Sequence, residues 1–249
     1  KNLINDFFSI IIPVYNCSNL TDKCIKSVLK YTSEKYEIII VDNGSIDNTM
    51  EVVEKYKRDY SSINYIKNSD NFGFSVGNNI GVSHAKGEFL VLLNNDTEVT
   101  KGWLSYLKDT LVNDLFVGMV APKLLYPDNT IQFSGFAFSE KSKIPYHLYR
   151  NFNSNDNCVN KKREYQALTG ACLLMRTKDF ISVNGFDPHY VNGGEDLDLS
   201  FKIKKKLGKR LMTNPLSTVY HLEGKTDGRS KMIMENRKLF VDKWCNEIY

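Results

Sequence analysis

Along the first hundred residues, unbroken apolar runs alternate with segments whose apolar positions recur every three or four residues. The runs "FFSIIIPV", "YEIIIVD", "INYIKN" and "EFLVLLN" are short and rich in Ile, Val and Phe, which predicts strands. Between them, helical spacing covers about Leu20 to Lys30, "TMEVVEKYKRDY", and about Ser75 to Ala85. Strands separated by helices of this length predict βαβ units on a parallel sheet, and so an α/β fold. Three of the strands are apolar almost throughout, as expected where helices cover both faces of a sheet.

After Trp103 the pattern loosens. "VGMVAPKLLY" and "IQFSGFAF" predict shorter strands, "LTGACLLMR" a buried strand, and "GGEDLDLSFKIKKKLG" a helix stopped by Gly208. The polar stretch "RNFNSNDNCVNKKREY", residues 150–165, predicts a mobile loop, either a lid over a site or a plain surface insertion. No internal repeat and no Pro-, Gly- or Ser-rich linker divides the 249 residues, so one domain is expected.

Composition narrows the classes. With 42% hydrophobic residues the chain fills a proper core, and 33 basic against 29 acidic residues leave a formal charge of +4, too slight to indicate nucleic acid. Cys17, Cys24, Cys158, Cys172 and Cys245 are scattered and odd in number, which favours neither a disulfide framework nor a zinc knuckle and suits a reducing cytoplasm. No apolar stretch approaches the roughly 20 residues of a spanning helix. The sequence opens inside a strand pattern and closes without a tail, as an excised domain of a longer chain would.

Open α/β sheets bind ligands at the carboxyl ends of their strands, and polar clusters fall there: "PVYN", "VDNGSIDNT", "NSDNFGFS" and "NNDTEV". Asp42, followed by Asn43, Gly44 and Ser45, is placed to grip a base or ribose, or else to make an Asx-turn or cap. Asp96 with its amide neighbours suits a hard divalent cation that bridges phosphates, or else a helix cap. In "FDPHYVNGGEDLDL", Glu195, Asp196 and Asp198 crowd a helix N-terminus, a place that favours carboxylates in any case. His221 is either a structural imidazole or one more metal ligand.

Other signatures fail on spacing. The Gly-Lys-Thr in "EGKTDG" lacks the first P-loop glycine, since residue 219 is Val219. Gly73, Gly77 and Gly81 lack the close glycine pair of a dinucleotide fingerprint. Ile46 stands where a calcium loop needs oxygen, and no G-x-S-x-G elbow occurs.

Seven segments, "SIIIPVYN", "IIIVDNGSIDNT", "NFGFSVGNNIG", "LLNNDTEV", "GACLLMR", "GFDPHYVNGGEDLDLSFKIKKKLG" and "YHLEG", resemble in order and spacing the inverting family 2 glycosyltransferases. The resemblance runs from about Phe8 to about Trp244 and is closest to the bacterial rhamnosyltransferase-like branch. It implies a GT-A fold: a Rossmann-like nucleotide-sugar-binding half over residues 1–99, with a mostly parallel central sheet covered by helices, fused to an acceptor and catalytic-base half over residues 100–249.

Residue by residue, the resemblance implies that Pro13, Tyr15 and Asn16 line the base pocket and that Asp42, with Asn43, holds base or ribose. Asn94, Asn95 and Asp96 match the D-x-D position, where Asp96 coordinates Mn²⁺ or Mg²⁺ and Asn94 serves the ribose or a metal-bound water. Asp196 is the implied general base, Glu195 supports its loop, and His221 joins the metal site. Asp198, two residues further along, is expected to matter much less. An asparagine in place of the first D-x-D carboxylate implies a weaker metal site.

The implied reaction moves a sugar from a UDP-, dTDP- or GDP-linked donor to a glycan, lipid-linked or protein acceptor, as in bacterial surface polysaccharide synthesis. Competing expectations are a catalytically silent nucleotide-sugar-binding module and a sugar nucleotidyltransferase, the latter disfavoured by the missing glycine- and arginine-rich first loop. The basic run Lys202, Lys204, Lys205, Lys206, Lys209 and Arg210 suits either an anionic lipid-linked acceptor at the inner face of a membrane or a solvated helix face.

Overall fold

A computed structural model describes residues 6–223 and 232–248. The Gly-Lys-Thr at 224–226 and the last residue of "YHLEG" lie outside them. Strands β1 (Phe7–Val14), β2 (Lys35–Asp42), β3 (Ile63–Lys67) and β4 (Phe89–Leu93) alternate with helices α1 (Ser18–Tyr31), α2 (Thr49–Asp59) and α3 (Gly73–Ser83). The four strands run parallel in the order β3, β2, β1, β4, which brings their carboxyl ends to one edge. Their apolar runs are inaccessible: Ile10, Ile11, Ile12, Ile38, Ile39, Ile40, Val91 and Leu92 are all fully buried between helical layers.

The sheet continues past β4 through elements of the second half. Strand β5 (Thr97–Val99) and helix α4 (Trp103–Val112) lead into β6 (Val117–Leu125), and β7 (Ile131–Phe133) folds back on β6. Next come the hairpin β8 (Phe136–Phe138) and β9 (Pro145–His147), then β10 (Arg163–Tyr165) and β11 (Cys172–Arg176). Helices α5 (Thr177–Ser182) and α6 (Glu195–Leu207), the long β12 (Arg210–His221) and helix α7 (Ile233–Trp244) complete the order. Strand β11 enters antiparallel between β4 and β6, so one ten-stranded sheet spans both halves. Parallel pairing resumes between β6 and β12.

Gly81 of α3 is a packing residue. A Cβ on Gly81 would stand 2.4 Å from Ile11 Cγ2, so only glycine lets the helix lie this close to β1. The expected single strand "IQFSGFAF" is two, because Gly135 between them takes φ 148° and the Tyr165 ring occupies the space of its missing side chain.

The structure adds elements and narrows two expectations. Helices α4, α5 and α7 and most of β12 carry no strong single-element signature and were not anticipated. Residues 150–165, expected as a mobile loop that is either a lid or a plain surface insertion, lie largely exposed but are anchored to the body: Lys123 Nζ donates to Ser154 O at 2.9 Å and Asn160 Oδ1 at 2.7 Å, Val159 is buried with Leu125 and Ile131, and β10 pairs with β12. The basic run after Phe201 is largely neutralised within the chain: Lys202 pairs with Asp198, Lys205 with Glu247, Lys209 with Asp179 and Arg210 with Asp114. Among the described residues no helix is long and apolar enough to cross a membrane.

Candidate active site

Because β1, β2 and β4 end at one sheet edge, their following loops share the walls of one open cleft. It is lined by Pro13, Tyr15, Asn43, Asn94, Asn95 and Asp96 from the first half and by Glu195, Asp196 and His221 from the second. Asn71, Phe74, Thr169, Gly170 and Asn192 also line it and were not singled out, although they lie in or beside the quoted segments "NFGFS", "LTGAC" and "NGGED".

Two expected base contacts do not line the cleft. Asp42 is fully buried: Oδ1 accepts from the Ser45 N–H at 2.7 Å and Oδ2 from the Tyr65 hydroxyl at 2.5 Å. It shapes the turn after β2, and burial beside this carboxylate pushes the Tyr65 phenol well above its usual range. Asn16 joins two loops, its N–H donating to Ser45 Oγ at 2.7 Å and its Oδ1 accepting from the Ile46 N–H at 2.9 Å. Asn43 stays on the floor, where Nδ2 donates to Gly73 O and Oδ1 accepts from Asn68.

The turn after β4 is closed by Thr97, whose hydroxyl donates to Asn94 O at 2.7 Å, while Asn95 Nδ2 donates to Thr21 Oγ1. Beyond the turn, β5 pairs antiparallel with β12 so that Thr97 faces His221. This register, together with Leu222 N–H donating to Asp96 O at 2.8 Å, sets the His221 ring beside Asp96. Nε2 of His221 lies 3.1 Å from Asp96 Oδ1.

A divalent cation fits this arrangement. His221 Nε2 and Asn94 Oδ1 are both buried and make no hydrogen bond, and one carboxylate oxygen with one imidazole nitrogen is a donor set that suits Mn²⁺. No group of three or more His, Cys, Asp or Glu that could hold a metal occurs among the described residues, so ligands beyond Asp96 and His221 would come from donor phosphates and water. Cys24 lies beneath the turn, where burial pushes its thiol up to about 12, with Thr97 opposing and Asp96 adding to the shift.

Across the cleft, the loop before α6 ends in Gly193 and Gly194, and α6 begins with Glu195 and Asp196. Glu195 is buried and folds back to accept the Gly193 N–H at 2.6 Å, bracing the loop. Asp196 is partly open; its Oδ2 accepts from the Gly170 N–H at 2.9 Å and its Oδ1 from its neighbour Leu197 at 2.9 Å. These donors and the helix N-terminus favour the ionised carboxylate. His147 lies within the electrostatic reach of Asp196, and burial lowers its basicity against the pull of Gln132 O and Asp196.

Asp198 is no neutral neighbour. It has no solvent exposure and accepts from Trp244 Nε1 at 2.8 Å, with Lys243 Nζ at 2.7 Å and Lys202 Nζ at 3.0 Å. It joins α6 to α7, a role that no local pattern marks because both partners on α7 are distant in the chain.

The family model "Glycosyl transferase family 2" matches residues 9–179, and the model "N-terminal domain of galactosyltransferase" matches residues 150–225. Poly(ribitol-phosphate) beta-glucosyltransferase of Bacillus spizizenii is 32% identical over 218 residues, 78% of this chain and 34% of that protein. Among solved structures, GalNAc-T7 with UDP, GalNAc and Mn²⁺ superposes with a TM-score of 0.79 at 21% identity, over 97% of this chain and 49% of that one. The mannosyltransferase PcManGT of Pyrobaculum calidifontis, solved with GDP-Man and Mn²⁺, gives 0.70 at 17% identity, over 95% and 64%. The chain spans between 25% and 59% of the length of the first curated relatives that it matches. On the family match over most of its length and on the GT-A architecture of these neighbours, the chain belongs to glycosyl transferase family 2.

Proposed function

We propose that this chain carries the catalytic site of a metal-dependent inverting glycosyltransferase that moves a sugar from a nucleoside diphosphate to an acceptor hydroxyl. The observation that carries the proposal is one cleft with Asp96 and His221 on the sheet side and Asp196 on the α6 side. Pro13, Tyr15 and Asn43 would hold the nucleoside, with Asp42 and Asn16 acting through the loops they brace. Asp96 and His221 would hold Mn²⁺ or Mg²⁺, which when bound offsets charge on the departing diphosphate. Asn94 and Asn95 offer amide groups beside it.

Asp196 would accept the acceptor hydroxyl proton as the new C1–O bond forms and the bond from C1 to the diphosphate breaks. One in-line displacement inverts the anomeric carbon and needs no covalent enzyme intermediate. A positioned base of this kind contributes about 10²- to 10⁴-fold.

A role in surface polymer synthesis draws support from the Bacillus relative, whose name specifies glucosyl transfer to poly(ribitol phosphate). The rhamnosyl resemblance finds no specific support in these names, and the UDP and GDP of the two structural neighbours leave the donor base open. The deciding experiment incubates the protein with UDP-, dTDP- and GDP-sugars, with Mn²⁺ or excess EDTA, and reads donor hydrolysis and the anomeric configuration of any product by NMR. Metal-dependent cleavage with an inverted product supports the proposal. Undiminished turnover in EDTA, with bound metal excluded by elemental analysis, refutes its metal part, and a retained configuration refutes inversion. Donor binding without any hydrolysis or transfer would leave a silent binding module.

A further inference from the structure

The residue that makes His221 usable as a ligand lies outside every motif. Gln132, on β7, is 2% exposed and makes two hydrogen bonds to the same histidine. Its Nε2 donates to the His221 main-chain carbonyl at 3.1 Å, and its Oε1 lies 2.6 Å from His221 Nδ1. The first bond decides the second: a carbonyl only accepts, so the amide must turn its NH₂ to it and its oxygen to the ring. An amide oxygen likewise only accepts, so Nδ1 must carry a proton. In a neutral ring the lone pair is then left on Nε2, the buried atom without a hydrogen bond that faces Asp96 Oδ1 at 3.1 Å.

We infer that Gln132 is a positioning residue that locks His221 in the Nδ1–H tautomer and presents its Nε2 lone pair, beside Asp96, to a divalent cation. The inference rests on the metal reading above and assigns a role to a side chain that reading does not use. The lock is built into the sheet: β7 pairs with β6, β6 with β12, and β12 ends at His221, so the ring and its orienting amide are held by one hydrogen-bonded ladder. A second bond ties the same strand down, where His147 Nδ1 donates to Gln132 O at 2.9 Å. Partners of this kind commonly contribute 10- to 100-fold to metal affinity, by fixing ring orientation and raising ligand basicity.

The test uses the whole chain, with ¹⁵N-histidine NMR for the tautomer and titration with Mn²⁺ in the presence of UDP for affinity. Gln132→Met keeps the bulk and removes both hydrogen bonds, while Gln132→Glu keeps an acceptor for Nδ1–H. The expected results are an Nδ1–H ring in the unsubstituted protein, mixed tautomers and roughly 10-fold or greater loss of Mn²⁺ affinity in Gln132→Met, and a retained Nδ1–H tautomer in Gln132→Glu. Unchanged Mn²⁺ affinity in a folded Gln132→Met overturns the inference. An Nε2–H tautomer in the unsubstituted protein overturns it too, even if Gln132→Met fails to fold. If the unsubstituted protein binds no Mn²⁺ while His221 is Nδ1–H and depends on Gln132 for it, the metal reading fails and the tautomer lock stands. His221→Ala, measured in parallel, separates the two.

Discussion

Asp96, Asp196 and Asp198 carry the same functional group, and the fold gives each a different environment. Asp196 is partly open on the cleft wall, so Asp196→Asn keeps its shape and loses its proton acceptor. Donor affinity is expected to survive while transfer falls by roughly 10²-fold or more, read as kcat against the donor Kd. Asp96→Asn is expected to weaken Mn²⁺-dependent nucleotide binding and so reduce donor hydrolysis and transfer together. Asp198→Ala leaves Lys243, Lys202 and the Trp244 indole facing an emptied carboxylate site, and loss of one partner of a buried ion pair costs about 3 to 5 kcal/mol. Denaturant titration should show that loss, with activity per folded molecule largely kept. The type of chemistry at these positions is legible in the sequence, because Asp96 follows a predicted strand and Asp196 and Asp198 begin a predicted helix. Which acid faces solvent is not, since that depends on Trp244 and Lys243 arriving from α7. Asp42 carries the same lesson: an acid at a strand end reads as a ligand contact until Tyr65, 23 residues on, is found filling its hydrogen bonds.

At the scale of elements, α7 is held by charge as well as by packing. Burial opposes ionisation of Asp187, but hydrogen bonds from His189 and Lys243 outweigh it and bring its pKa from 3.8 down to about 2. A folded value below the unfolded one means that this stabilisation is complete above about pH 4 and is lost as pH falls toward 2. Amide exchange in α7 is therefore expected to accelerate over that acid window before exchange in β1 or β4 does; uniform acceleration of all elements would contradict it. Residues 150–165 follow from Lys123, a buried lysine whose basicity burial lowers and whose ammonium group is held by Ser154 and Asn160. Lys123→Ala should make this segment a protease-sensitive site, while in the unsubstituted protein its exchange should be the same with and without nucleotide. The apolar runs of β1, β2 and β4 were legible because burial on both faces leaves few polar positions, such as Ser9 and Glu37, which bond each other. The anchoring of the polar stretch was not legible, because the lysine that holds Ser154 O and Asn160 Oδ1 comes from β6, more than thirty residues earlier in the chain.

At the scale of the molecule, ligands that bind only the folded state must stabilise it. A nucleoside diphosphate at about 100 times its Kd adds about 2.7 kcal/mol. For a domain of this size that raises Tm by about 5 to 10 °C. The increment should need Mn²⁺ and nucleotide together, since the proposed site has only Asp96 and His221 as protein ligands; an equal shift with nucleotide in EDTA would separate donor binding from metal. The sequence by itself determined the parallel βαβ half, the sheet edge at which its polar clusters gather, and a resemblance that the family match bears out. These are local properties: each strand announces its burial through its own side chains, and each cluster sits within a few residues of its strand end. Only the tertiary structure decided that β11 enters antiparallel and welds the halves, that Asp42 and Asn16 brace the loops and do not line the cleft, and that Gln132 stands behind His221. Apart from the Asp42–Ser45 turn, which the sequence offered as one of two alternatives, each of these is a contact between residues separated by many positions, closed by a register or a hydrogen bond whose partner no local pattern marks.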